Sequence, residues 1–246
     1  MVIFPKRIVS LGAILIFTIL SETAVADLSP HGRPGNLRTL PGISIGVSGG
    51  VGDSTTQQSV YVEVKTQHRF MMFAELSQAS SEADDVAVNG DLDLEFSGAT
   101  VGAYYQLPDY RNTHLTVAIR VQDGENSNDA VILSGASRVD LVEESLATEI
   151  ALLMEHKSWA RGYWQPYAGI GFRVTETDTN VDTTGGRDII SNELTENTGE
   201  FTAGLLYQRD RLSWFLEGSA SSADDDPLRI SLGLRYGFFH RRESSP

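Results

Sequence analysis

The sequence predicts an all-β chain, an antiparallel up-and-down transmembrane β-barrel of about ten strands with eight as the alternative. Three observations carry that prediction. Apolar and small or polar residues alternate with a period of two through ten stretches, the pattern of strands with two unlike faces. The links between the stretches alternate between short and long, as in barrels that cross a membrane with short turns on one side and longer loops on the other. Beyond residue 26 no run of about 18 apolar residues remains, so the mature chain has no candidate spanning helix.

Taken in order, the outward candidates begin with Ile43, Ile45 and Val47, then Val60, Val62 and Val64, then Phe70, Met72, Ala74 and Leu76. The fourth stretch places Leu92, Leu94 and Phe96 outward and resumes with Val101, Ala103 and Tyr105, which requires a bulge near residues 97–99 to restore the register. Leu115, Val117, Ile119 and Val121 form the fifth, and Leu146, Ile150, Leu152 and Met154 the sixth. The seventh holds Trp164, Ala168, Ile170, Phe172 and Val174, the eighth Phe201, Ala203, Leu205 and Tyr207, and the ninth Leu212, Trp214 and Leu216. In the last, Leu228, Ile230, Leu232, Leu234, Tyr236 and Phe238 share one face, with Arg229, Ser231, Gly233, Arg235 and Gly237 on the other.

Short links fall at residues 67–69, 108–112, 157–162 and 209–211, and long polar ones at 81–91, 123–137 and 178–197, with briefer ones at 52–57 and 223–226. An even strand count leaves both chain ends on the short-link, periplasmic side. Aromatics near that side, Tyr105, Tyr110, Trp159, Tyr163, Trp164, Tyr207 and Trp214, sit where an interfacial girdle belongs.

Residues 1–26 have a basic head with Lys6 and Arg7, an apolar run over 8–20 and a small-residue end at Ala24, Val25 and Ala26. These are the parts of a secretory signal peptide, cleaved after Ala26. The domain reading is then a signal at 1–26, an N-terminal periplasmic extension at 27–40, the barrel at 41–239 and a tail at 240–246. Cleavage removes Lys6, Arg7 and Glu22, leaving 17 of 19 basic and 32 of 33 acidic residues, a formal charge of −15 against −14. That balance excludes nucleic acid, which needs an excess of Lys and Arg. The absence of cysteine removes disulfides, thiolate metal sites and cysteine nucleophiles.

In the last stretch Ser231, Gly233, Tyr236 and Phe238 resemble the C-terminal assembly signal of outer-membrane barrels, a polar residue, a glycine and two aromatics at fixed spacing. Family members with a terminal aromatic differ here, because residues 239–246 follow. The resemblance implies partners: periplasmic chaperones and the barrel-assembly machinery during insertion, and outer-membrane lipid and lipopolysaccharide afterwards. A second resemblance covers residues 164–172, Trp-Gln-Pro-Tyr-Ala-Gly-Ile-Gly-Phe, which is similar to strands of small porin-family barrels related to OmpA and OmpX in Gram-negative cell envelopes. It implies a narrow lumen faced by alternate glycines and a structural or surface-interaction role in the outer membrane. Oligomeric state is left open.

With the apolar faces outward, the lumen set is Glu63, Lys65, Glu75, Asp93, Glu95, Arg120, Glu149, Arg173, Glu217, Arg229 and Arg235. Charges of both signs in a narrow lumen must pair or stay hydrated, since an isolated buried ion costs several kcal/mol. The expected result is a pairing network that plugs the barrel, with a narrow ion- or solute-selective channel as the alternative. A wide channel belongs to barrels of about 16 or more strands.

An outer-membrane hydrolase is the rival class. Omptin proteases and lipid A deacylases both use a histidine at the external rim, whereas the links place His31, His68, His114, His156 and His240 on the periplasmic side. His156-Lys157-Ser158 spells the deacylase His-x-Ser at the wrong strand end, and Asp91-Leu92-Asp93 resembles an omptin acidic pair without its Asp-x-His. No catalytic residue, cofactor or metal site is therefore expected. The acidic long links have the hard oxygen ligands that divalent ions prefer, but not the spacing of a calcium loop.

Overall fold

The computed structural model describes residues 42–52, 55–66, 69–83, 92–133, 137–156, 164–183, 188–209, 211–222 and 228–238. The signal peptide, the extension over 27–40 and the tail over 240–246 lie outside the described residues, as do Trp159 and Tyr163. Ten antiparallel strands follow one another: β1 (Gly42–Val51), β2 (Thr55–Lys65), β3 (Phe70–Ala83), β4 (Leu92–Gln106), β5 (Thr113–Leu133), β6 (Ser137–His156), β7 (Trp164–Thr183), β8 (Asp188–Arg209), β9 (Leu212–Ser221) and β10 (Leu228–Gly237). Each pairs with its neighbours in sequence, and β1 closes the barrel against β10 through pairs from Ser44↔Gly237 to Val51↔Ile230.

The register fixes the shape. Stepping from strand to strand through paired residues, Glu196 leads to Thr175, Ala147, Gln122, Thr100, Glu75, Tyr61, Gly46, Arg235, Ser213 and back to β8 at Gln208. The circuit returns twelve residues along β8, from 196 to 208, which is the shear of the barrel. With a rise of about 3.3 Å per residue and about 4.8 Å between strands, that shear tilts the strands by about 40°.

The barrel is inside out relative to a soluble one. Val60, Leu76, Ile150, Phe172 and Leu232 are between 52% and 70% exposed on the outside, while Arg120, Glu149 and Arg173 are at most 1% exposed within. Two short links turn through left-handed residues, Arg69 (φ 57°) and Arg111 (φ 52°).

Two expectations need correction. The first concerns β4, whose register with β3 and β5 is continuous through residues 97–99, with no bulge. Even positions therefore face inward along its described length, so Phe96 is buried in the lumen and Glu95 is exposed outside. Glu95 is not a lumen charge. Asp93 lies on β4, but its side chain and those of Leu92 and Leu94 are outside the described residues.

The second concerns the links over 123–137 and 178–197, which are mostly strand. β5 and β6 pair as far as Leu133↔Ser137, and β7 and β8 as far as Asp182↔Asp188, with register shifts at Asn128/Val131 and Val181/Asp182. Polar residues pair in these ladders through backbone hydrogen bonds, which polarity does not forbid. β5 to β8 run to 20–22 residues, twice the 10 of β9 or β10. The surplus of about ten residues raises a four-stranded wall extending about 33 Å along the strands past the ends of β9 and β10.

Candidate functional site

Glycines on the inner face let bulky side chains lie flat on the neighbouring strand. Tyr61, Phe73, Tyr167 and Phe215 each stand directly across from a glycine, in the pairs Gly46↔Tyr61, Phe73↔Gly102, Tyr167↔Gly204 and Gly233↔Phe215. A Cβ added at Gly233 would come within 2.1 Å of the Phe215 ring, and one at Gly46 within 2.3 Å of Tyr61. Phe96 covers Gly98 and Gly124 in the same way.

Phe73, Tyr167 and Phe215 belong to apolar clusters inside the barrel toward the short-link end. Met71, Phe73, Tyr104, Ala118, Ala151 and Leu153 form one cluster, and Tyr167, Leu206 and Phe215 a second. The sequence reading assigned the inner face to charges and glycines and missed these clusters. The signal was present, because the period of two fails wherever both faces are buried. Leu152-Leu153-Met154, Leu205-Leu206-Tyr207 and Trp214-Phe215-Leu216 are such unbroken apolar runs.

Beside the clusters lies a belt of buried charge. Arg120 on β5, Glu149 on β6 and Arg173 on β7 stand in one row, and Arg120 donates through Nη2 to Glu149 Oε2. Arg173 forms an ion pair with Glu200 at 3.9 Å. Across the β1–β10 closure, Arg235 donates Nη1 to Glu63 Oε2 at 3.1 Å and Nε to Ser213 Oγ at 2.9 Å. Tyr167 donates its hydroxyl to Glu217 at 2.6 Å. Arg229 reaches Gln57 Oε1 at 3.0 Å, Glu75 is buried on β3, and Lys65 is half-buried at the short-link end of β2.

Sequence reasoning overlooked Glu143, Glu155 and Glu200, all buried. Glu155 continues the inward parity of Glu149, and Glu200 that of Thr202, so counting by twos would have found both. Glu143 accepts hydrogen bonds from Asn126 Nδ2 at 3.2 Å and Thr179 Oγ1 at 3.0 Å. Among the described residues, seven buried carboxylates (63, 75, 143, 149, 155, 200, 217) face four buried guanidiniums (120, 173, 229, 235).

Of the five histidines, His114 is described in full. Its Nδ1 lies 2.6 Å from Asp109 Oδ1 and 3.0 Å from Gln106 Nε2, beside a short link. His31, His68 and His240, and the side chain of His156, lie outside the described residues.

On the outside, an aromatic band rings the short-link end. Trp164, Tyr207 and Trp214 are paired across β7, β8 and β9, with ring centroids 4.9 to 5.7 Å apart. Tyr236 and Phe238 meet edge to face at 5.2 Å. Within β10, Ser231 is buried and Gly233 lies under Phe215, while Tyr236 and Phe238 are exposed. At the other end a groove of about 1010 Å³ crosses the outer face of β1 to β6. It lies between Val47, Val60 and Leu76 on one side and Gln58, Gln78 and Ser97 on the other, and it ends against the carboxylates Asp123, Glu125 and Glu144.

Comparisons with known proteins bear on the fold. No family model matches the chain, and no curated protein matches it in sequence. Among solved structures, the β domain of the Bordetella autotransporter Brka is similar at 12% identity and a TM-score of 0.50, over 81% of this chain and all of that one. The translocator domain of the autotransporter NalP from Neisseria meningitidis is similar at 14% identity and a TM-score of 0.49, over 93% of this chain and 96% of that one. The KdgM porin is 10% identical at a TM-score of 0.37, over 80% of this chain and 99% of that one. The first likeness shows a shared fold, and with the closed ten-stranded register the chain has the fold of an outer-membrane β-barrel.

Proposed function

We propose that this protein is an integral outer-membrane barrel with a lumen too full to conduct, whose work is done by the wall that stands above the membrane. The side chains buried inside the barrel are the observation that carries this reading. Two apolar clusters lie at the short-link end, and next to them Arg120 pairs with Glu149 and Arg173 with Glu200 within the bore, which supports a closed lumen. The outward belt of Val, Ile, Leu and Phe supports the membrane assignment, because an exposed apolar surface of that kind belongs in hydrocarbon. The short links then face the periplasm and the wall faces out of the cell.

The wall supports a surface-contact role. β9 pairs with β8 only from Glu200 onward and Ser222 bonds Gly199, so among the described residues 188–198 of β8 have no partner on that side, and sheet edges of this kind accept an added strand. Glu193, Leu194, Thr195 and Asn197 are exposed along it. His114 is held 2.6 Å from Asp109 beside a short link, on the periplasmic side in this orientation, which supports a non-enzymatic reading. On the same reading Ser231, Gly233, Tyr236 and Phe238 form the assembly signal, and lipid and lipopolysaccharide surround the belt.

Planar-bilayer recording tests the proposal: the folded protein gives no steady conductance. Steady ion-selective openings that vanish on Arg173→Gln or Glu149→Gln would overturn it in favour of a narrow channel. The excess of buried carboxylates predicts that such a channel would select cations.

A further inference from the structure

The charge of this molecule is distributed along its axis. At the wall end the exposed charges among residues whose side chains are described are Glu95, Asp123, Glu125, Glu144, Glu176, Asp178 and Glu193, with no Lys or Arg among them. At the short-link end the signs reverse. There Arg69, Arg111, Arg209 and Arg211 are exposed, with Asp109 the exposed acid among the described residues.

Two of these four cations are engaged by the protein itself: Arg69 donates to Leu107 O, and Arg111 lies over the Tyr110 ring at 5.4 Å. Arg209 and Arg211 differ, because among the described residues neither guanidinium has a hydrogen-bond, ion-pair or ring partner.

Their surroundings are specific. Arg209 follows Tyr207 on the outward face of β8 and pairs in register with Leu212, which pairs with Tyr236 on β10. One row toward the hydrocarbon lie the packed rings of Trp164, Tyr207 and Trp214. Arg211 is tied to β10 through its carbonyl, which accepts from Gly237 N at 2.9 Å, next to Phe238. Two guanidiniums therefore stand at the water edge of an aromatic floor, where a lipid headgroup meets its acyl chains.

We propose that the β8–β9 turn binds the phosphate of one anionic phospholipid of the periplasmic leaflet, with Arg209 and Arg211 as the phosphate ligands and the Trp164, Tyr207 and Trp214 rings beneath the glycerol and upper acyl chain. The inference rests on the orientation proposed above. A guanidinium is the side chain suited to phosphate, presenting paired N–H donors. Arg209 and Arg211 lie at the short-link end, which meets the periplasmic leaflet in the orientation proposed above.

Native mass spectrometry of the detergent-folded protein, with dioleoylphosphatidylglycerol, dioleoylphosphatidylcholine or lipid A added in turn, tests it. Heat-modifiable migration and silent bilayers are recorded on the same preparation, so that failure of the barrel reading shows separately. Phosphatidylglycerol should be retained over phosphatidylcholine, and R209Q/R211Q should lower its retention roughly tenfold, as expected for two cations beside an anionic headgroup. The folded R111Q variant should retain it like the wild type. Equal retention of the two phospholipids, unchanged retention by the folded double variant, or lipid A retained in place of phosphatidylglycerol would each overturn the inference.

Discussion

Glu149 stands in register between Arg120 on β5 and Arg173 on β7, buried with both. Removing one member of such a set leaves an uncompensated ion, whereas replacing a whole pair by apolar side chains of similar volume removes the desolvation cost as well. Arg120→Ala is therefore expected to cost roughly 3–5 kcal/mol, and Arg120→Met with Glu149→Met to recover most of that loss, measured by urea unfolding in lipid vesicles. A double variant no more stable than the single one would refute the pairing account. Gly233 makes a second case, because its place in the proposed assembly signal has a packing reason of its own in the Phe215 ring. Gly233→Ala and Gly46→Ala should each lose about 1–3 kcal/mol by overpacking. Gly218→Ala, whose added Cβ would meet its nearest atom at 3.9 Å, should change stability by less than about 0.5 kcal/mol. A loss at Gly233 with none at Gly46 would return the glycine to recognition rather than packing.

At the scale of the strand, face and height decide what a residue does. Leu216 is 46% exposed midway along β9, so Leu216→Arg should destabilise the barrel by about 2–4 kcal/mol, as a cation does at the bilayer midplane. Glu193→Arg, exposed on β8 in the wall, should leave unfolding unchanged. Equal effects at the two positions would contradict the height assigned to the hydrocarbon. The wall itself should be dispensable for folding. Joining Asn126 to Glu143, a register pair, through a two-residue turn removes the upper β5–β6 hairpin but leaves the Arg120–Glu149 pair and the apolar clusters untouched. That variant should keep its heat-modifiable migration.

For the whole molecule, ten strands at a shear of twelve give one closed sheet whose buried inner side chains are its core. Folding is therefore expected to be all or none, with Trp emission and heat-modifiable migration changing at the same urea concentration. Non-coincident transitions would mean that the wall or the core folds as a separate unit.

Sequence alone determined what repeats. A period of two is forced by strand geometry, so ten strands, their outward apolar rows in nine of them, and the end that carries the aromatics could all be read from residues such as Ile150, Phe172 and Leu232. Tertiary structure decided what depends on a neighbouring strand. Alternation does not say which face is inner once apolar residues occur on both, so the phase of Phe96 and Glu95 was set by register with β3 and β5 and by the glycines Phe96 covers. The polar stretches over 123–137 and 178–197 became a wall because a backbone ladder needs a partner strand and no apolar side chain. The apolar clusters and the ion pairs required the twelve-residue shear, which brings Arg235 and Glu63, 172 residues apart in sequence, together across the closure.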